Sequence, residues 1–205
     1  MAGGAVAVAG EERGDGEFLP LPAPVREGGG SLMEALASRA STREFSGREV
    51  GWQELSNLLW AAFGVNREGE GKRTAPSAMD NREVEIWVLR SDGVYRFDAD
   101  RQGLEVRGRG DIRGLSGGQD YVQQAPVSLV YVVDPARQRR VPEDQRVFYA
   151  AADTGFIAQN VYLYCASAGL GCVVHAISAG APLREGLGIP ADWQVVLGQC
   201  VGYPV

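Results

Sequence analysis

The 205-residue chain contains a single histidine, His175, and only three cysteines, Cys165, Cys172 and Cys200, with no CxxC pair and no His/Cys cluster. That scarcity argues against a structural metal site and a Ser-His-Asp hydrolase, and three thiols at irregular spacing read as free and buried. His175 follows the apolar run Cys172–Val174, so the first expectation is a satisfied core or rim histidine. No apolar run approaches the roughly 20 residues of a membrane span. The net charge is −6 with basic residues scattered among acidic ones, so the concentrated footprint that nucleic acid requires is missing. Neither a GxGxxG fingerprint after a strand nor GxxxxGK[ST] is present, which removes support for a Rossmann or P-loop site.

What is present is an ordinary globular composition, 45% hydrophobic and 22% charged, long enough for one well-buried domain. Residues 1–30 are rich in Gly, Pro and Ala and read as an extended or disordered arm. The opening MAGGAVAVAG lacks the basic n-region of a secretory signal; it reads as the stump of a trimmed signal or as a simple tail, and a cytoplasmic location is the default. Residues 31–205 read as a single domain.

Ser31 and Glu34 fit a capping box that opens a short helix, about Leu32 to Ser38. A clearer helix spans about Trp52 to Phe63, with Leu55, Leu58, Leu59 and Ala62 on one stripe and Gly64 where a left-handed residue would end it. Val84, Ile86 and Val88 alternate within Glu83–Leu89 as in a half-buried strand, which turns at Asp92-Gly93 and returns over Val94–Phe97. A weaker strand is expected over Leu104–Arg107, and Val127–Val133 reads as a central strand covered on both faces. From about Glu143 to Ala168 a long helix shows little polar face and is expected to be mostly buried, until Gly169-Leu170-Gly171 stops it. A short helix at about Pro182–Leu187 and a strand over about Gln194–Val201 close the chain. The mixed order predicts an α+β domain, one sheet flanked by helices, and the long apolar helix predicts a homodimer that covers it.

Three segments are candidates for chemistry. In Arg39–Phe45 (RASTREF), an extended backbone would project Arg39, Ser41 and Arg43 to one side. Two guanidinium forks around a hydroxyl make a cradle for a phosphomonoester, or else a solvated turn with arginines paired to Glu44 or Glu49. Arg73–Ala78 (RTAPSA) either holds the edge of a planar heterocycle or merely connects two elements. At Gly169–Ile177, glycines permit a ligand to approach the backbone, and a helix cap explains them equally well.

In this order the segments resemble the FMN-dependent nitroreductase superfamily, in particular its SagB-type dehydrogenase-like branch. The resemblance covers about residues 31–204. It rests on RASTREF, LSNLLWAAFGVNR at Leu55–Arg67, RTAPSA, GGQDYVQQAPV at Gly117–Val127, DTGFIAQNVYLYCASAGLG at Asp153–Gly171 and VGYP at Val201–Pro204. It implies a mostly antiparallel central sheet flanked by helices, and an FMN site across the interface of a homodimer. It places Arg39, Ala40 and Ser41 at the phosphate and ribityl end and Arg43 near the pyrimidine edge. Pro76, Ser77 and Ala78 would form a loop over the flavin reaching from the partner subunit. Gln119 would supply a flavin-contacting amide, and the backbone of Ala176 and Ile177 would face flavin N5. The implied activity is two-electron transfer from NADH or NADPH to a nitroaromatic or quinone by a ping-pong mechanism, with little protein acid–base machinery. The alternatives are a flavin-dependent dehydrogenase of an organic or azoline-type substrate, or a non-catalytic flavin-binding protein. Relatives usually carry a basic residue to the phosphate on a tail beyond GYP; here that contact is expected from elsewhere, with Arg73 or Lys72 as candidates, or else FMN is expected to bind more weakly. Met79-Asp80-Asn81-Arg82 departs from the glycine-led run of many SagB-type members.

Overall fold

The computed structural model describes residues 16–205, and the reading of MAGGAVAVAG lies outside them. Within the segment read as an arm, β1 (Phe18–Pro20) pairs along β6 (Gly103–Arg109) as an edge strand. The helices α1 (Leu32–Ser38) and α2 (Trp52–Phe63) have the expected bounds. Ser31 Oγ accepts the Glu34 N–H at 3.2 Å and Glu34 returns a carboxylate to the Ser31 N–H at 2.7 Å, which completes the capping box. Gly64 is not left-handed: its φ of −70° and ψ of 167° are extended. Glycine is needed there for another reason, since a Cβ would lie 2.4 Å from Trp60 Cδ1.

A two-stranded ribbon, β2 (Val65–Arg67) and β3 (Lys72–Arg73), precedes the main sheet. β4 (Val84–Arg90), β5 (Gly93–Asp98), β6, β7 (Val127–Val133), β8 (Gly171–His175) and β9 (Gln194–Gly202) join β1 in the order β1-β6-β5-β4-β7-β9-β8. Every neighbouring pair is antiparallel. Helix α3 (Asp120–Gln124) leads into β7, α4 (Arg146–Ala168) into β8, and α5 (Gly180–Leu187) follows β8.

Leu55, Leu58, Leu59 and Ala62 of α2 and Ile157, Ala158 and Val161 of α4 pack on Val84, Ile86 and Val88. Each large side chain buried this way contributes roughly 1.5–3 kcal/mol. The alternation in β4 does not mark a half-buried strand. Trp87 and Leu89 point to a second layer with Leu183 and Leu187 of α5, so β4 is buried on both faces. Helix α4 is less covered than expected: Ala150, Ile157, Val161 and Cys165 face the core, but Phe148 and Phe156 remain 69% and 48% exposed. Among the described residues no helix is long and apolar enough to cross a membrane.

Candidate functional site

The segment after α1 runs along the free edge of β8. Ser41 forms a parallel bridge with Cys172, and the Thr42 N–H donates to the Cys172 carbonyl at 2.9 Å. This approach requires Gly171, because a Cβ there would lie 2.6 Å from Thr42 Cγ2. Tyr162 of α4 ties the parts together. Its hydroxyl lies 3.0 Å from Ser41 Oγ and accepts the Val174 N–H at 2.9 Å, and the Arg39 guanidinium sits 5.3 Å from its ring centroid. Ala40, Ser41 and Arg43 are exposed beside it. Among the described residues neither Arg39 nor Arg43 forms an ion pair; Glu49 is taken by Arg90 instead. Arg39 and Ser41 therefore share one open patch at Tyr162, and Arg43 is exposed two residues further along the same segment.

The far end of β8 carries the other sequence candidates. His175 is buried, and that burial lowers its pKa, so the ring is neutral near pH 7. It is not the fully satisfied histidine expected: Nδ1 lies 3.2 Å from the Ala176 carbonyl, whereas Nε2 is buried without a partner. Tyr121 meets the ring edge-on at 6.4 Å. His175 and Gln119 flank Gly117, where a Cβ would come within 2.8 Å of His175 Nδ1 and 3.0 Å of Gln119 Oε1. The N–H groups of Ala176 and Ile177 have no acceptor among the described residues. The structure thus gathers Arg39, Ala40, Ser41, Gln119, Ala176 and Ile177 along one strand.

Pro76, Ser77 and Ala78 are placed elsewhere. The Ala78 N–H donates to Asp153 Oδ2 at 2.8 Å, nine residues before Tyr162 and so about 13 Å away along α4. Within one chain this loop does not reach the cradle. It continues through Met79, Asp80 and Arg82 at φ of 53°, 55° and 53°. Left-handed backbone at non-glycine residues costs roughly 1–3 kcal/mol each, so the surrounding contacts must hold it. Asp80 accepts from Lys72 at 2.8 Å and from Arg82 at 2.8 and 2.9 Å, which pulls its carboxyl well below the usual range. Arg73 donates to both carboxylate oxygens of Asp100 at 3.0 Å. Within this chain Lys72 is engaged by Asp80 and Arg73 Nη2 by Asp100, while Arg73 Nε and Nη1 have no partner among the described residues. Cavities of about 160 and 250 Å³ lie against Arg73 and Trp60, and no cradle residue lines them.

Sequence reasoning missed Tyr162, Asp153 and Glu83. Tyr162 looks like one more apolar residue of α4, but Asp153 had a signal: it is the only acidic residue between Arg146 and Ala168.

The nitroreductase family profile matches residues 36–203, from α1 to just beyond β9. The chain belongs to the nitroreductase family. A Methanocaldococcus jannaschii protein assigned as a nitroreductase is 34% identical to this family member over 166 residues, 75% of this chain and 82% of its own length. A crystal structure of a Ralstonia eutropha protein, also assigned as a nitroreductase, superposes with a TM-score of 0.87 at 40% identity, covering 92% of this chain and 90% of the other. An NADPH-flavin oxidoreductase of Vibrio harveyi is 32% identical over 104 residues, 47% of this chain and 43% of that protein. By family the chain is an oxidoreductase.

Proposed function

We propose that this nitroreductase-family chain is an FMN-dependent oxidoreductase that takes two electrons from NADH or NADPH and delivers them to an electron-poor small molecule, a nitroaromatic or quinone. Donor and acceptor would occupy one face in turn, a ping-pong sequence. The observation that carries this reading is the content of the two ends of β8: Ser41 bridged to Cys172 within a segment whose Arg39 and Arg43 form no ion pair among the described residues, and amides at Ala176 and Ile177 without an acceptor among them. Four residues of strand separate them, about 13 Å. A dianion at one end and the polar edge of a planar heterocycle at the other match an extended phosphorylated flavin. FMN supplies the two-electron carrier when bound.

Arg39 and Ser41 would hold the phosphate, with Tyr162 fixing both side chains and Ala40 lending exposed backbone next to them. Arg43 would bring positive charge toward the pyrimidine edge, where reduction places negative charge. Gln119 and the amides of Ala176 and Ile177 would meet the heterocycle. His175, kept neutral by burial, would act as a wall and not as a proton donor. Leu32 and Met33 of α1 together with Val147, Phe148 and Phe156 of α4 leave an exposed apolar face. A second copy would cover it, and each subunit would present its Pro76–Ala78 loop to the other's cradle.

Anaerobic mixing of the FMN-loaded protein with NADH and NADPH tests the electron donor. Bleaching of the visible flavin band by at least one of them is expected. Bleaching by neither contradicts the assignment, and bleaching by an organic substrate alone would mark a substrate-oxidising flavoprotein.

A further inference from the structure

Glu83, the residue before β4, and Asp153 of α4 are both almost completely buried and lie against each other. Among the described residues no cation pairs with either. Arg82 is spent on Asp80, Arg137 on Asp134 and Glu85, and Arg146 on the Val141 carbonyl. The remaining neighbours are neutral: Ser77 Oγ donates to Glu83 Oε2 at 3.2 Å, and Gln138 Nε2 lies 3.4 Å from Glu83 Oε1 and 3.0 Å from the Arg146 carbonyl. Two carboxylates cannot both ionise in such a place, so the pair retains one proton. Burial first, and the neighbouring Asp153 carboxylate second, raise the Glu83 pKa, which assigns the proton to Glu83.

The same two carboxylates grip consecutive loop residues. Asp153 takes the Ala78 N–H at 2.8 Å and Glu83 takes the Ser77 hydroxyl, whose oxygen in turn accepts the Arg82 N–H at 2.8 Å. Both ends of the segment Met79–Arg82, left-handed at Met79, Asp80 and Arg82, are thereby tied to one buried point. We infer that Glu83 and Asp153 share a single proton and act as a positioning pair, locking the Ser77–Arg82 loop in the shape it presents to the flavin site. The lock is a property of the folded chain alone; its consequence for binding rests on the FMN reading above.

Hydrogen exchange of the loop amides, corrected for the intrinsic pH effect, tests the lock in the full-length protein. Asp153→Ala should speed Ala78 exchange on the order of tenfold or more, as expected for loss of a charge-assisted hydrogen bond. Asp153→Asn, which still accepts from Ala78 and donates to Glu83, should restore protection. In the wild type, protection should fall as pH rises through the Glu83 titration. Glu83→Gln, which donates to Asp153 at every pH, should abolish that dependence. Unchanged Ala78 exchange in Asp153→Ala, or a wild-type pH profile in Glu83→Gln, overturns the inference. The two neutral, near-isosteric variants keep the test decisive if the alanine variant fails to fold. FMN titration is the second arm: Asp153→Ala should weaken binding and Asp153→Asn restore it. Unchanged FMN affinity with a loosened loop overturns the positioning role. Loop protection as predicted in a wild type that ignores FMN supports the lock and sinks the FMN reading.

Discussion

Two segments hang on α4 by opposite means. Tyr162 holds Arg39–Thr42 with a neutral hydroxyl and leaves two guanidinium groups uncommitted at the surface. Asp153, nine residues earlier on the same helix, joins Glu83 in holding Ser77–Arg82 with buried carboxylates, and the cations near that loop are already paired. The first arrangement keeps charge available for a ligand. The second uses its charges internally to hold a backbone that three left-handed residues would otherwise relax. On the FMN proposal, the free charge is where the phosphate would bind, and the internally spent charge keeps a shape.

The largest expected effect comes from removing charge at the open end. Arg39→Ala should weaken FMN binding by about 1.5–3 kcal/mol, the worth of a charge-assisted hydrogen bond to a dianion, without changing loop protection. Equal FMN retention in Arg39→Ala and Arg43→Ala would show the cradle to be misassigned. Next comes pH. Because the Glu83 pKa is raised in the folded state, its contribution is fully present below the ordinary carboxylate range and is lost as pH rises toward the folded value. Within that window stability should fall by up to about 1.4 kcal/mol per unit, then level off. Thermal melts should show this decline in the wild type and a flatter profile in Glu83→Gln; parallel profiles would break the contrast between the two segments.

A smaller effect is expected at Tyr162. Phenylalanine there leaves the Val174 N–H and the Ser41 hydroxyl without their shared partner, and water can reach both half-open groups. A stability loss of about 1 kcal/mol is expected, with FMN affinity lowered less than by Arg39→Ala. An FMN affinity equal to wild type would mean that Tyr162 does not position the cradle. Arg43→Ala should change affinity least, by under about 1 kcal/mol at an exposed site, while making the flavin potential more negative. Potentiometry that finds no shift would move Arg43 away from the heterocycle.

Much of the fold was legible because local signals agreed with the tertiary outcome. The Ser31–Glu34 box and the Leu55–Ala62 stripe placed α1 and α2 with their observed ends. The errors came where the environment is set from far away in sequence. The second layer over Trp87 and Leu89 is supplied by α5, so no window around β4 reveals it. The extended Gly64 answers to Trp60 packing and not to a cap. For the candidate site, residue types left Arg39, Ser41 and Arg43 open between a phosphate cradle and a solvated turn, the resemblance favoured the cradle, and the structure adds Tyr162 as the contact of Arg39 and Ser41. Tyr162 lies more than a hundred residues from Ser41, and Glu83 and Asp153 meet across 70 residues of chain, so neither relation has a sequence spacing to read.

The most direct test of the central claim is the visible absorbance of the purified protein, with mass analysis of what heat denaturation releases and titration with added FMN. The account predicts about one FMN per chain, carried through purification or taken up on addition. A colourless protein that also ignores added FMN would contradict it.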